Sequence, residues 1–339
     1  MKRLVLVDYG YYIGKKRSRI LIKKASTGEK REFNIGDFDE IVLHVKGTSI
    51  SGDALYLMLR MGVKIYLMGR SKLLGVITPV LKGSSIYLKK NQFKTQESER
   101  GFYLAKAFIY GKIRNQALYL SDVRRRFKRR DFADQLLDLI WILKDLASRV
   151  SQLDYKPDGR REIIRIEAEA ARRYWDFWSS ILKDRYGFDG RRKHYEEPRD
   201  PVNLSLNYLY MLLAGYTWNT LILNGFEPYL GFLHEDSARR PALVMDLMEE
   251  FRVPVVDAAL FNWILIEKPD LSNWIVEDNK LSDEARRTLL TIYFNRIDEE
   301  VTFMNKTTKL KYHIDLQAKR LARYVMGYTN SYEPFKYTR

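Results

Sequence analysis

The chain has 339 residues, 46% of them hydrophobic, with a net charge of +16 and no cysteine. That is enough apolar material for one large core or two medium ones, and it excludes disulfides and thiolate metal sites, so any metal must be held by carboxylate, imidazole or water oxygen. No stretch approaches the roughly 20 uncharged apolar residues that span a bilayer, and MKRLVLVDYG enters a strand-like run without a signal-peptide core, so no membrane association and a soluble, cytoplasmic protein are expected.

The charge is unevenly spread. Residues 1–90 carry 18 Lys and Arg against 7 Asp and Glu, a concentrated excess of the kind that attracts nucleic acid, with membrane surface the lesser option. The same stretch reads as β: runs at 3–8, 19–24, 40–45, 64–68 and 75–80 are short and rich in Val, Ile, Leu and Tyr, and Ser51 opens one short helix to residue 59. Beyond a linker at 86–96 the pattern becomes long amphipathic segments at 97–120, 132–150, 161–183, 202–224, 241–251, 281–298 and 313–326. The expected fold class is therefore α+β, a small β domain over 1–85 and a nearly all-α domain over 97–339. Segment 184–200 reads as a charged loop too polar to pack. The run Arg124, Arg125, Arg126, Lys128, Arg129 and Arg130 is either a phosphate-contacting cluster or a solvated turn.

In the helix at 161–183, Glu167 falls inside the apolar stripe of Ile163, Ile164, Ala170, Ala171, Tyr174, Trp175 and Trp178, while Glu169 faces Arg165, Arg172 and Arg173. A carboxylate on an inward face needs a cation or a metal, which makes Glu167 a functional candidate; an ion pair with a distant Arg is the alternative. A second piece is GFLHEDSARRPALVMDLMEEFR, 231–252: His234 follows a turn, Pro241 opens a helix, and Asp246 and Glu249 lie three apart opposite the stripe of Val244, Leu247, Met248 and Phe251. One imidazole plus carboxylates suits Mg2+ or Mn2+; an ordinary solvated helix face fits the same spacing.

These two pieces occur in a familiar order. I-E-A-x-A-A-R-R-Y-W around Glu167, D-P-V-N-L-S-L-N-Y at 200–208 and G-F-L-H followed by D-L-M-E-E-F-R resemble the CRISPR-associated integrase family, the catalytic subunit of spacer acquisition. Thr48–Ser51, G-K-I-R-N-Q at 111–116 and Y-E-P-F at 332–335 extend the resemblance over essentially the whole chain. The resemblance implies a metal site of Glu167, His234 and Glu249 with Asp246 nearby, and Glu250 as an alternative to Glu249 should the helix be rotated. It implies that Lys112, Tyr174, Asn203, Asn207 and Arg252 lie close to the site; Lys112 and Arg252 are expected to contact nucleic acid, as are Arg124, Arg125, Arg126 and Lys128 on the strength of the basic run. Ala168 stands where the family often has Gly. It further implies strand transfer from a short invader-derived (protospacer) DNA duplex into a repeat array, a homodimer formed through the β domains, and a small ferredoxin-like CRISPR adaptation subunit as partner. A stand-alone metal-dependent nuclease for branched or single-stranded nucleic acid, and a non-catalytic DNA-binding scaffold, are the competing readings.

Overall fold

In the computed structural model, residues 3–6, 10–69, 73–79, 86–127, 135–156, 158–234, 236 and 240–337 are described. The chain divides into two compact units, residues 1–82 with 280–287, and residues 83–279 with 288–339.

Among the described residues between 3 and 79, the first unit holds two four-stranded sheets and one α-helix. Strands β1 (Arg3–Leu6), β2 (Tyr11–Lys16), β3 (Arg19–Lys24), β4 (Lys30–Asn34), β5 (Glu40–His44), β6 (Ser49–Ile50), β7 (Lys64–Met68) and β8 (Leu73–Ile77) are short. One sheet has the order β1-β5-β7-β8, parallel except for its last pair, and the other the order β4-β3-β2-β6. Every residue of β5 is buried, as a central strand requires, and its Glu40 is neutralised by Arg3 at 2.6 Å. Helix α1 (Gly52–Arg60) is capped by Ser51, whose hydroxyl accepts from Ala54 N at 3.2 Å. Ile13, Ile20, Ile41, Ile65, Ala54 and Met58 form the core. Strands β2 and β4 were not anticipated, because Gly14 with Lys15 and Lys16, and the charged KREFN, dilute the alternation on which strand reading depends.

The second unit is almost entirely helical: α2 (Ile86–Gln96), α3 (Glu99–Arg126), α4 (Gln135–Gln152), α5 (Gly159–Tyr186), α6 (Pro201–Leu223), α7 (Ala242–Met248), α8 (Ala258–Glu267), α9 (Asp283–Ile297, shared with the first unit) and α10 (Leu310–Val325). The 86–96 segment expected as a linker is α2. It lacks an apolar stripe and is held instead by Gln92, whose amide bonds the backbone of Glu227 and Leu230. The expected 241–251 helix stops at Met248 and passes into a π-helical turn, Arg252–Asp257, where Pro254 removes a backbone donor. Among the described residues, a hairpin of Glu300–Phe303 and Lys306–Lys309 was also unanticipated.

Candidate metal centre

Three elements of the helical unit bring the charged groups together. Glu167 stands on α5, Lys112 on α3 and Glu249 at the end of α7. The Lys112 ammonium lies 2.5 Å from Glu167 Oε1 and 2.8 Å from Glu249 Oε2, so the two carboxylates converge on one cation. Arg252 holds the other Glu249 oxygen at 2.9 Å. Burial opposes ionisation of Glu249, but Arg252 and Lys112 more than offset it and hold the carboxyl at about 2. Burial pulls Lys112 down, and its two carboxylates reverse that and raise it.

His234 is oriented from behind. Asp246, fully buried, accepts from the backbone of Phe232 at 2.6 Å and Leu233 at 2.9 Å on one oxygen, and from His234 N at 3.1 Å and Nδ1 at 2.6 Å on the other. Gly231 permits this approach: a Cβ there would sit 2.7 Å from the Ala242 Cβ and 2.9 Å from Asp246 Oδ2. With Nδ1 bound, Nε2 is the ring nitrogen left to face outward, the arrangement usual for a metal-binding histidine. Burial depresses His234, and the Asp246 bond outweighs it and raises its pKa. Beside His234 an open cleft of about 330 Å³ is lined by Gln96, Arg160, Arg161, Ile164 and Leu233.

Asp246 and Glu249 are thus buried rather than a solvated helix face, and they serve different partners. Glu250 turns the other way, accepting from Tyr332 OH, Gln317 Nε2 and Phe335 N, so Glu249 alone of the pair meets Lys112. Glu167 and Glu169 do not differ in exposure as expected, at 23% and 26%; they differ in partner, for Glu169 pairs with Arg173 at 3.5 Å. Ile164, expected in the buried stripe, is exposed at the cleft.

The cations expected on nucleic acid are mostly committed inward. Lys112 is 14% and Arg252 18% exposed, each spent on Glu249, and Arg252 also lies 4.8 Å over the Tyr210 ring. Arg126 pairs with Asp122 at 2.9 Å and bonds Asn262, while Arg125 is 65% exposed with Asp122 at 2.8 Å. Arg124 is half-buried at the end of α3, and Lys128, Arg129 and Arg130 lie outside the described residues.

Sequence reasoning missed Arg191. It lies in the loop expected to be too polar to pack, and donates to Asn203 Oδ1 at 3.1 Å and Asn207 Oδ1 at 2.7 Å, with Tyr210 5.3 Å beneath. Among the described residues no carboxylate lies within ion-pair distance of it. The D-P-V-N motif explains its placement. Asp200 caps α6 by accepting from Asn203 N at 2.7 Å, Pro201 takes the first helical turn, and the buried Asn203 amide grips Gly190 O and Arg192 N. Two asparagines one helical turn apart on an apolar helix were the available signal. Behind Tyr210, Asp257 accepts from the hydroxyls of Tyr210 and Tyr174, and burial pushes its carboxyl up to about 6.

Among the described residues no three His, Asp or Glu groups already form a metal-holding set. The chemistry nevertheless fits a hard divalent cation: two carboxylates gather around a positive charge supplied by Lys112, and an imidazole fixed through Nδ1 stands on the same side, within electrostatic reach of Glu249 and Lys112.

The chain thus consists of a β-rich unit and a helical unit that carries the cluster of carboxylates and imidazole. Residues 4–295 match the family described as CRISPR associated protein Cas1. A relative, "CRISPR-associated endonuclease Cas1 1" of Archaeoglobus fulgidus, is 30% identical over 98% of this chain and 99% of its own length. The fold is similar to that of a casposase bound to integration product, with TM-score 0.80, 24% identity, and 100% and 95% of the two chains covered. It is also similar to a chain of a Cas6-RT-Cas1–Cas2 complex, with TM-score 0.76, 22% identity, and 100% and 36% covered. The chain belongs to the Cas1 family.

Proposed function

We propose that this chain is a divalent-metal-dependent DNA integrase and endonuclease that joins a DNA 3'-hydroxyl to a phosphodiester in a CRISPR repeat array. The observation that carries this reading is the convergence of Glu167 and Glu249 on one cation beside an oriented His234. Glu167, Glu249 and His234 Nε2 would hold Mg2+ or Mn2+, which when bound neutralises phosphate charge and lowers the pKa of an attacking hydroxyl. Lys112 holds the two carboxylates in register, and Lys112 and Arg252 together keep Glu249 ionised. Arg191, held among the described residues by amide and carbonyl oxygens and the Tyr210 ring and not by a carboxylate, is available to a substrate phosphate, which a guanidinium recognises in bidentate fashion. Placement and charge, rather than a nucleophilic side chain, then do the work.

The donor is a short protospacer duplex, the acceptor the repeat array. The protein works in the cytoplasm as a homodimer assembled through its β unit, with a small ferredoxin-like subunit as partner. That the Archaeoglobus relative is named an endonuclease supports the hydrolytic half of the reading, in which water replaces the hydroxyl at the same site. Alanine at Glu167, His234 or Glu249 should abolish Mn2+-dependent cleavage and joining of a labelled duplex with the thermal midpoint little changed for Glu167 and His234. Glu169→Ala should retain wild-type turnover. Retained turnover in Glu167→Ala would show that the chemistry lies elsewhere.

A further inference from the structure

The last described residues, 331–337, have no regular secondary structure, yet Tyr332, Phe335 and Tyr337 are buried. They lie across the two elements that supply Lys112 and Glu249. On α3, Gly111 and Asn115 stand one helical turn apart and face this segment, while Lys112 between them faces the carboxylates. The Asn115 amide donates to Phe335 O at 2.9 Å and accepts from Tyr337 N at 2.7 Å; it also donates to the Glu250 backbone oxygen at 2.8 Å. Gly111 lets Pro334 pack directly on the helix, since a Cβ there would lie 2.8 Å from the Pro334 Cβ and 3.4 Å from Glu250 Cγ.

At the end of α7 the geometry repeats. Glu249 faces Lys112, and its neighbour Glu250 faces the segment, taking Tyr332 OH at 2.5 Å and Phe335 N at 2.6 Å. Phe335 stacks on Phe251 at 4.9 Å between ring centres. Each side of the Lys112–Glu249 contact is therefore fastened from behind to the same six residues. This also gives a role to the Y-E-P-F motif and to Gly111 and Asn115 of G-K-I-R-N-Q, which flank Lys112 without touching the carboxylates.

We propose that residues 332–337 are a strap that sets the spacing of the candidate metal centre, with Glu250 and Asn115 as positioning residues acting on Glu249 and Lys112. The inference rests on the reading of Glu249 as a ligand-bearing residue. Groups that hold a ligand from behind change metal affinity when altered, whereas a general loss of stability does not.

The test compares full-length wild type, Glu250→Gln, Tyr332→Phe and Leu143→Ala, the last truncating a buried α4 side chain away from the strap. Mn2+ affinity is read by electron paramagnetic resonance of the free ion, the joining rate by single turnover, and stability by thermal melting. Glu250→Gln should weaken Mn2+ binding and slow joining by about ten-fold or more, with affinity for DNA unchanged. Tyr332→Phe, which removes one hydroxyl and folds even if Glu250→Gln does not, should move both in the same direction. Leu143→Ala should lower the melting temperature and leave Mn2+ affinity as in wild type. Strap variants that bind Mn2+ like wild type, or a Leu143→Ala loss as large as theirs, would overturn the strap while leaving the integrase reading standing. A wild-type protein that neither binds Mn2+ nor joins DNA would remove both.

Discussion

At Asp246 one buried carboxylate organises four donors, three from the backbone of residues 232–234 and one from the His234 ring. Asparagine cannot reproduce this, because its NH2 must replace an oxygen that now only accepts. Turned toward the ring, it donates to Nδ1, moves the imidazole proton to Nε2 and removes the lone pair a cation needs; turned toward Phe232 and Leu233, it opposes two N–H donors. Asp246→Asn should therefore cut joining by about 10- to 100-fold, and a nitrogen-15 spectrum of His234 should show the Nε2-protonated tautomer in the first case. Wild-type turnover in this variant would mean that the histidine needs no orientation. Glu167 and Glu169 carry a lesson at the same scale. Periodicity expected them to differ in depth, yet α5 lies half-exposed at both positions; what separates them is that Glu167 meets Lys112 and Glu169 meets Arg173.

At the scale of elements, the π-helical turn and the strap each bury a carboxyl with no ion-pair partner among the described residues. Burial raises Glu250 to about 7 and Asp257 to about 6, against the hydrogen bonds that each accepts. Both folded values exceed the ordinary ones, so the folded chain binds more protons and their contribution is complete below about pH 4 and lost as pH rises through 6 to 7. Raised His234 adds in the same sense above its ordinary value, whereas Glu249, held at about 2, matters only in acid. Urea melts should show the protein less stable at pH 8 than at pH 5, with Glu250 responsible for on the order of 3 kcal/mol, and Glu250→Gln should flatten the profile. An unchanged slope in that variant would contradict the assignment.

Much of this architecture was legible in the chain because long amphipathic stripes such as α5 follow from a 3.6-residue period. The shorter elements were not. The α2 helix is fastened by Gln92, the strap by hydrogen bonds to Asn115 and Glu250, and the Arg191 loop by Asn203; each depends on a polar partner 11 to 222 residues away, which local hydrophobicity does not register. Of the three candidate ligands, Glu167 was visible as a carboxylate inside an apolar stripe, whereas His234 after a turn and Glu249 opposite the core stripe of its helix were singled out by the family resemblance. Lys112 was expected near the site and as a contact to nucleic acid, not as the cation that brings Glu167 and Glu249 together.

For the whole molecule, the excess of positive charge in residues 1–90 and the outward Arg125 are suited to attracting phosphate, since cations act over about 10 Å at 0.1 M salt. Strand transfer requires two DNA segments at once, and hydrolysis requires one. Holding a donor 3'-hydroxyl in line with the acceptor phosphate makes attack effectively intramolecular, which can lower the barrier by about 7 to 11 kcal/mol relative to free encounter. The decisive measurement supplies a short duplex with free 3'-hydroxyl ends, and the same duplex ending in dideoxynucleotides, to the protein with its partner subunit and a plasmid carrying a repeat. Covalently joined product should form only with the hydroxyl ends and vanish in Glu167→Ala. Equal nicking with both donors and no joined product would contradict the account and leave a nuclease in its place.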